Sequence, residues 1–240
     1  DSYYGNVPYD GFQQIGFCQL SSTVPLSLKH TMLWGASSRI TTFDDNTPAT
    51  ANASGTGNAP AITWLPGVFI QDEWTLNERN LLLTGIRYDY HSKHGSILTP
   101  RISWKWSPNP LHILRLTGGS GYRVANIFTE DHAALSGARE VIITEALNPE
   151  RSWNANLNYV QKFSPKALGF IGLDASLFYT YFYNQILPDY NTNPEQIIYR
   201  NLQGHAVSAG GSLNLEFNFK NGIKCMTGAT FMDVYKQENG

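Results

Sequence analysis

The sequence predicts an all-β fold: an antiparallel up-and-down transmembrane β-barrel, to which this chain contributes about ten strands of a larger wall. Three observations carry that expectation. Apolar and polar residues alternate over long runs, tight turns and longer links take turns along the chain, and aromatic side chains gather near strand ends.

Composition narrows the field first. Among 240 residues, 17 basic and 19 acidic side chains nearly cancel, so no net field points to nucleic acid as a partner. Only 15% of the chain is charged while 13% is aromatic, yet the mean hydropathy is negative. Rings are abundant without the chain being greasy. No stretch approaches the roughly 18 to 20 uncharged apolar residues that a spanning helix needs. The richest region, 169–187, is interrupted by Asp174. The opening residues carry no charged or apolar leader, and the chain is expected to be a segment of a longer protein. Cys18 and Cys225 lie far apart without metal-ligand spacing and are expected to be small buried or lipid-facing residues rather than a disulfide.

In chain order, Ile102, Trp104 and Trp106 alternate with Arg101, Ser103 and Lys105. After Arg151, Trp153, Ala155, Leu157 and Tyr159 oppose Ser152, Asn154, Asn156 and Asn158. The next run sets Ile171, Leu173, Ala175, Leu177, Tyr179, Tyr181 and Tyr183 against Gly172, Asp174, Ser176, Thr180 and Asn184, and is expected to continue to Leu187. Then Val207, Ala209, Leu213, Leu215, Phe217 and Phe219 oppose Ser208, Gly210, Ser212, Asn214, Glu216 and Asn218. A soluble sandwich also alternates, but its strands average about 5 to 6 residues. A strand needs about 9 to 11 to cross a bilayer at the usual tilt.

Short turns are expected at Ser21 to Pro25, Leu76 to Asn80, Ser107 to Pro110, Ser164 to Ala167 and Lys220 to Gly222. Longer links are expected at Thr42 to Ala61, Ser92 to Ser96, Arg123 to Pro149 and Pro188 to Gln196. That ordering fits tight periplasmic turns and longer extracellular loops. Trp74, Tyr88, Tyr90, Trp104, Trp106, Tyr179, Tyr181 and Tyr183 are expected to form girdles at the two membrane interfaces, where an apolar ring with a polar tip is at home. Cross-strand ring pairing in an ordinary sheet is the alternative.

Particular blocks then resemble a known family. The run Phe69, Ile70, Gln71, Asp72, Glu73, Trp74, followed by Leu83 to Asp89 and by Thr99, Pro100, Arg101, resembles the mid-barrel signature of TonB-dependent outer-membrane receptors. So do Gly119 to Arg123 and the block from Asn148 to Asn154. Residues 123–139 are worded most like receptors of the Bacteroides group. The resemblance implies a barrel of about 22 strands with a plugged lumen. It also implies a plug domain that engages the energy-coupling protein TonB, and a small nutrient ligand such as an iron-siderophore or cobalamin. The plug and the closing strands are expected to lie outside this chain. A passive porin or export barrel, lacking a plug, and a soluble extracellular glycan-binding sheet protein are the alternatives.

No catalytic constellation, metal cluster or cofactor motif is found. Gly118, Gly119 and Gly121 lack the following helix that a phosphate loop requires. His91 and His94 lack a third ligand. Candidate ligand-binding residues are Arg123, Glu130, Asp131, His132, Arg139, Asp189 and Tyr190, all in long links. If the aromatic faces look outward, Arg87, Asp89, Arg101, Lys105 and Arg115 face the lumen, where they are expected to hold a plug or guide an anionic chelate. Asp89 and Arg101 flank one tight loop and are expected to pair.

Overall fold

The structure, a computed structural model, describes residues 2–4, 7–45, 57–124, 139–143, 145–165 and 169–238. Those residues form fifteen strands: β1 (Ser2–Tyr4), β2 (Val7–Tyr9), β3 (Gly11–Pro25), β4 (His30–Asp45), β5 (Ala61–Asn77), β6 (Asn80–His91), β7 (Gly95–Asn109), β8 (His112–Arg123), β9 (Glu140–Ile143), β10 (Glu150–Phe163), β11 (Gly169–Asn184), β12 (Ile186–Asp189), β13 (Gln196–Asn201), β14 (Gly204–Phe219) and β15 (Lys224–Glu238). Ten of them make one antiparallel sheet in the order β15-β14-β11-β10-β8-β7-β6-β5-β4-β3. Within that sheet each strand pairs with the next wall strand along the chain, β9, β12 and β13 lying in the intervening links, and the result is the up-and-down meander that the alternation predicts.

Why the sheet has two chemically distinct faces follows from its register. One row of directly opposed residues runs His30, Trp74, Leu82, Trp104, Leu116, Leu157, Leu177, Gly211, Phe231. A row on the other face runs Thr23, Leu33, Gln71, Gly85, Arg101, Gly119, Asn154, Thr180, Ser208, Val234. Side chains project alternately from a strand, so a period-2 sequence sends its rings and branched chains to one side and its amides, hydroxyls and charges to the other. The apolar side has no protein layer over it among the described residues: Val68, Ile70, Leu98, Ile102 and Leu177 are all exposed. A contiguous apolar face of that extent is matched to hydrocarbon, not water.

The second row also reports the strand tilt. It starts at Thr23, two residues from the short-turn end of β3, and finishes at Val234, ten residues from the same end of β15. The row therefore climbs eight residues over nine strand-to-strand steps. With a rise of about 3.3 Å per residue and a spacing of about 4.8 Å, the tilt is about 30°, near the 35–45° typical of membrane barrels.

Several boundaries differ from expectation. The first turn is Leu26 to Lys29, not Ser21 to Pro25, because Thr23, Val24 and Pro25 still pair with β4. The Ser92 link is a three-residue turn, Ser92 to His94, closed by Gly95 at φ 73°. Short and long connections thus do not alternate without exception. The run expected to reach Leu187 ends at Asn184, and Ile186 begins a strand of another sheet. That second sheet, in the order β12-β13-β9, was not anticipated; it joins the link between β8 and β10 to the link between β11 and β14. β1 and β2 form a separate short hairpin.

Candidate functional site

The polar face carries the predicted lumen charges, and their arrangement depends on glycine. Asp89 is fully buried. Its carboxylate accepts from Arg87 Nε at 2.8 Å and Arg87 Nη2 at 2.7 Å, and Arg87 Nη2 also donates to Ser37 Oγ at 2.8 Å. Phe69 lies beneath the guanidinium, 5.7 Å from ring centroid to Cζ. Gly67 is the register partner of Asp89, and a Cβ there would collide with the carboxylate; one at Gly35 would collide with the Phe69 ring. The two glycines are the floor on which an acid and a ring lie flat.

The expected pair between Asp89 and Arg101 does not form. The His91 to Gly95 register places Asp89 opposite Ile97 and Arg101 opposite Gly85, four residues further down the hairpin. Arg87, two residues from Asp89 on the same face of the same strand, takes its place. Arg101 instead sits between Gly85 and Gly119 with its side chain exposed. Below it Lys105 directly opposes Arg115, which reaches Asn158 Oδ1 at 3.3 Å. Asn158 in turn donates to Asp174 Oδ1 at 2.6 Å and Ser176 Oγ at 2.9 Å.

The aromatic residues separate into two bands on the apolar face. Trp74, Trp104 and Trp106 lie near the short turns, and Trp104 Nε1 donates to Asn80 Oδ1 at 3.1 Å. Tyr88, Tyr90, Tyr179, Tyr181 and Tyr183 lie towards the long links, and Tyr181 stacks on His205. Trp106 pairs with Asn80, and Tyr90 is ten residues along the same strand. At about 3.3 Å per residue and 30–40° of tilt, the bands stand about 25–30 Å apart, the height of a bilayer hydrocarbon core. The two cysteines are free and exposed; Cys18 and Cys225 pair in register with Ser38 and Phe217 on the apolar face.

At the long-link end, the structure brings together Arg139, Asp189 and Tyr190. Arg139 Nη1 donates to the Tyr190 carbonyl at 3.4 Å and its guanidinium lies 5.9 Å from that ring's centroid. Asp189 is held well below the usual carboxylate range, at about 2, chiefly by the Thr192 hydroxyl at 2.6 Å and then by the amides of Asn191 and Thr192. A cleft of about 270 Å³ opens here, lined by Leu187, Pro188, Asp189, Arg200, Lys236 and Glu238 among others. Arg200 and Lys236 both bond Glu238, at 3.3 and 3.0 Å. None of these three was singled out from the sequence. Arg123 bonds Glu150 at 2.7 Å. Glu130, Asp131 and His132 lie outside the described residues, as does most of segment 123–139.

The chain belongs to the family described as TonB dependent receptor-like, beta-barrel, whose model matches residues 2–239. It is part of the wall of an outer-membrane barrel. Among solved structures it is similar to the siderophore receptor PirA from Pseudomonas aeruginosa, at TM-score 0.67 and 17% identity over 94% of this chain and 40% of that one. It is also similar to the FrpB iron transporter from Neisseria meningitidis, at TM-score 0.71 and 14% identity over 94% of this chain and 37% of that one. A curated relative, the iron-regulated outer membrane virulence protein of Vibrio cholerae, is 33% identical over 92 residues, 38% of this chain and 14% of its own length. The chain therefore spans well under half of these relatives.

Proposed function

We propose that this wall belongs to an active-uptake receptor that captures a scarce nutrient at its extracellular links and passes it through a plugged lumen. A ferric chelate is the favoured ligand, with cobalamin or a similar chelate as the other members of the class. The observation that carries the reading is the charged rim: Arg200 and Lys236 line one cleft with Asp189 and Glu238, and Arg139 lies against the neighbouring Tyr190. Charge-assisted hydrogen bonds from such a rim suit the anionic oxygens of a metal chelate. Two of the similar structures, a siderophore receptor and an iron transporter, support the same class.

Lower down, Arg101, Lys105 and Arg115 would meet a plug domain. Opposed cations on one sheet face repel unless an acid lies over them. Energised displacement of that plug through TonB would then open the path. The test is uptake of radioactive iron presented as a panel of ferric siderophores, in cells with and without the gene and with and without TonB. Uptake should require both. Accumulation that persists without TonB would make the barrel a passive pore, and unchanged uptake of every ferric chelate on deletion would remove iron from the proposal.

A further inference from the structure

The inner aromatic band carries an acid on the face that meets lipid. Asp72 shares one side of β5 with Ile70 and Trp74, opposite Met32 and Thr84. An ionisable side chain on a membrane-facing wall is expensive and marks function more often than packing. Asp72 Oδ2 accepts from His30 Nδ1 at 2.7 Å, while Oδ1 is buried with no hydrogen-bond partner among the described residues. A carboxylate can only accept, so Nδ1 carries the hydrogen and Nε2 is the ring's remaining polar atom. That atom has no partner among the described residues, and 36% of the side chain is exposed. The ring stacks on Trp74 with centroids 5.2 Å apart, so acid and indole together fix its plane.

The turn before it adds a cation. Ser27 Oγ accepts from the amides of Lys29 and His30, each at 3.1 Å, and the turn closes with Lys29 exposed. His112 repeats the arrangement four strands along the sheet. Like His30, it is the first residue of a strand leaving a short turn. The Tyr159 hydroxyl donates to Gln161 Oε1 at 3.1 Å and therefore accepts from His112 Nδ1, at 2.9 Å, which again leaves Nε2 unspent. His112 is in register with Gln161, on the side that carries Leu157 and Tyr159. His30 directly opposes Trp74, and His112 lies two residues from Leu114, the partner of Trp106. Both imidazoles thus stand at the tryptophan level, the boundary between membrane and water.

At that boundary the group that meets such donors is a phosphate, the anion that a phospholipid presents next to its acyl chains and an acceptor for imidazolium and ammonium alike. From these contacts we infer that the inner end of the wall holds phospholipid headgroups. His30 and Lys29 take the phosphate of one lipid and His112 that of another, with Asp72 and Tyr159 as positioning residues that aim the rings. As an imidazolium, His30 donates from Nδ1 to the acid and from Nε2 to the phosphate, so Asp72 offsets the charge that the ring brings into the wall. The inference rests on the membrane setting of the barrel and not on what the receptor transports.

Native mass spectrometry of the full-length receptor, released from detergent, reads the site. The receptor is titrated with phosphatidylglycerol and with diacylglycerol, its phosphate-free counterpart, and the measured quantity is the ratio of the two affinities. Loosening of the wall lowers both affinities alike, whereas loss of a headgroup contact lowers the ratio. His30→Ala should lower the ratio about tenfold. Asp72→Leu should lower it through the untethered ring, and Lys29→Gln, on an exposed turn, should lower it with folding intact. Free glycerophosphate should not displace the bound lipid. A ratio unchanged in all three variants, or near one in the unmodified receptor, would reduce the face to acyl-chain contact. Displacement by glycerophosphate would make it a site for soluble phosphate, and a receptor dimer that takes the place of bound lipid would make it a face between copies.

Discussion

At the scale of single residues, the Arg87–Asp89 pair shows which partner matters. Asp89 has no exposed surface, whereas the Arg87 side chain keeps 36% of its own. Removing the base strands a buried carboxylate; removing the acid leaves a guanidinium that still reaches water. Arg87→Leu is therefore expected to cost about 3–5 kcal/mol and Asp89→Leu about 1–3 kcal/mol, measured as urea midpoints of the full-length barrel refolded into vesicles. Equal losses would show that the acid is not the stranded member. Nothing in the residue string distinguished Arg87 from Arg101 as the partner, because both lie on the polar face; only the three-residue turn that sets the register does so. A second residue-scale effect concerns His91. Its Nδ1 accepts from the amides of Lys93 and His94, at 3.2 and 3.3 Å, and burial lowers its pKa, with His94 and Lys93 adding to the shift. The folded state favours the neutral ring, so this contribution is present above the unfolded value of about 6.5 and is lost as pH falls through the lower folded one. Amide exchange at Lys93 and His94 should quicken between pH 7 and pH 5 beyond the ordinary change in intrinsic rate, and a His91→Asn variant should lose that extra dependence.

At the scale of elements, the wall strands were legible because their information is local. Period-2 alternation sustained through Ile171 to Tyr183 or Val207 to Phe219 leaves no other regular structure with two such faces. Their ends were less legible where Ser21 to Pro25 reads as a turn by composition, because β3 is an edge strand of the described sheet and proline is tolerated on an edge strand. Strands β9 and β13 were missed for a different reason. They are four and six residues long and pair with each other across more than fifty residues, so only the β-branched runs Val141 to Ile143 and Ile197 to Ile198 hinted at them. The same distinction hid Arg200 on β13 and the pair Lys236 and Glu238 on β15, which converge from two elements. Depth along a wall strand makes a further prediction. Ile86 sits mid-strand on the apolar face and Tyr90 at the outer aromatic band. Ile86→Arg is expected to cost about 2–4 kcal/mol and Tyr90→Arg about 0–1 kcal/mol, read from folding titrations in vesicles. A reversed order would mean that the apolar face does not meet acyl chains.

At the scale of the whole molecule, tilt, band spacing and face chemistry agree on one environment. A sheet inclined at about 30° and bearing aromatic bands about 25–30 Å apart needs no helix to cross the membrane. The edge strands β3 and β15 are not paired with each other in this structure, and the matched relatives are more than twice as long.

The two thiols turn that geometry into a chemical contrast. Cys18 is the eighth residue of β3 and opens toward the middle of the hydrocarbon layer, while Cys225 is the second residue of β15 and opens beside a turn. A charged reagent does not enter hydrocarbon, so access alone separates the two sites. A charged, water-borne maleimide should therefore modify Cys225 in intact membranes and spare Cys18, whereas detergent-unfolded protein should react at both. Were Cys18 modified as readily as Cys225 before unfolding, that flank of the arc would be bathed in water.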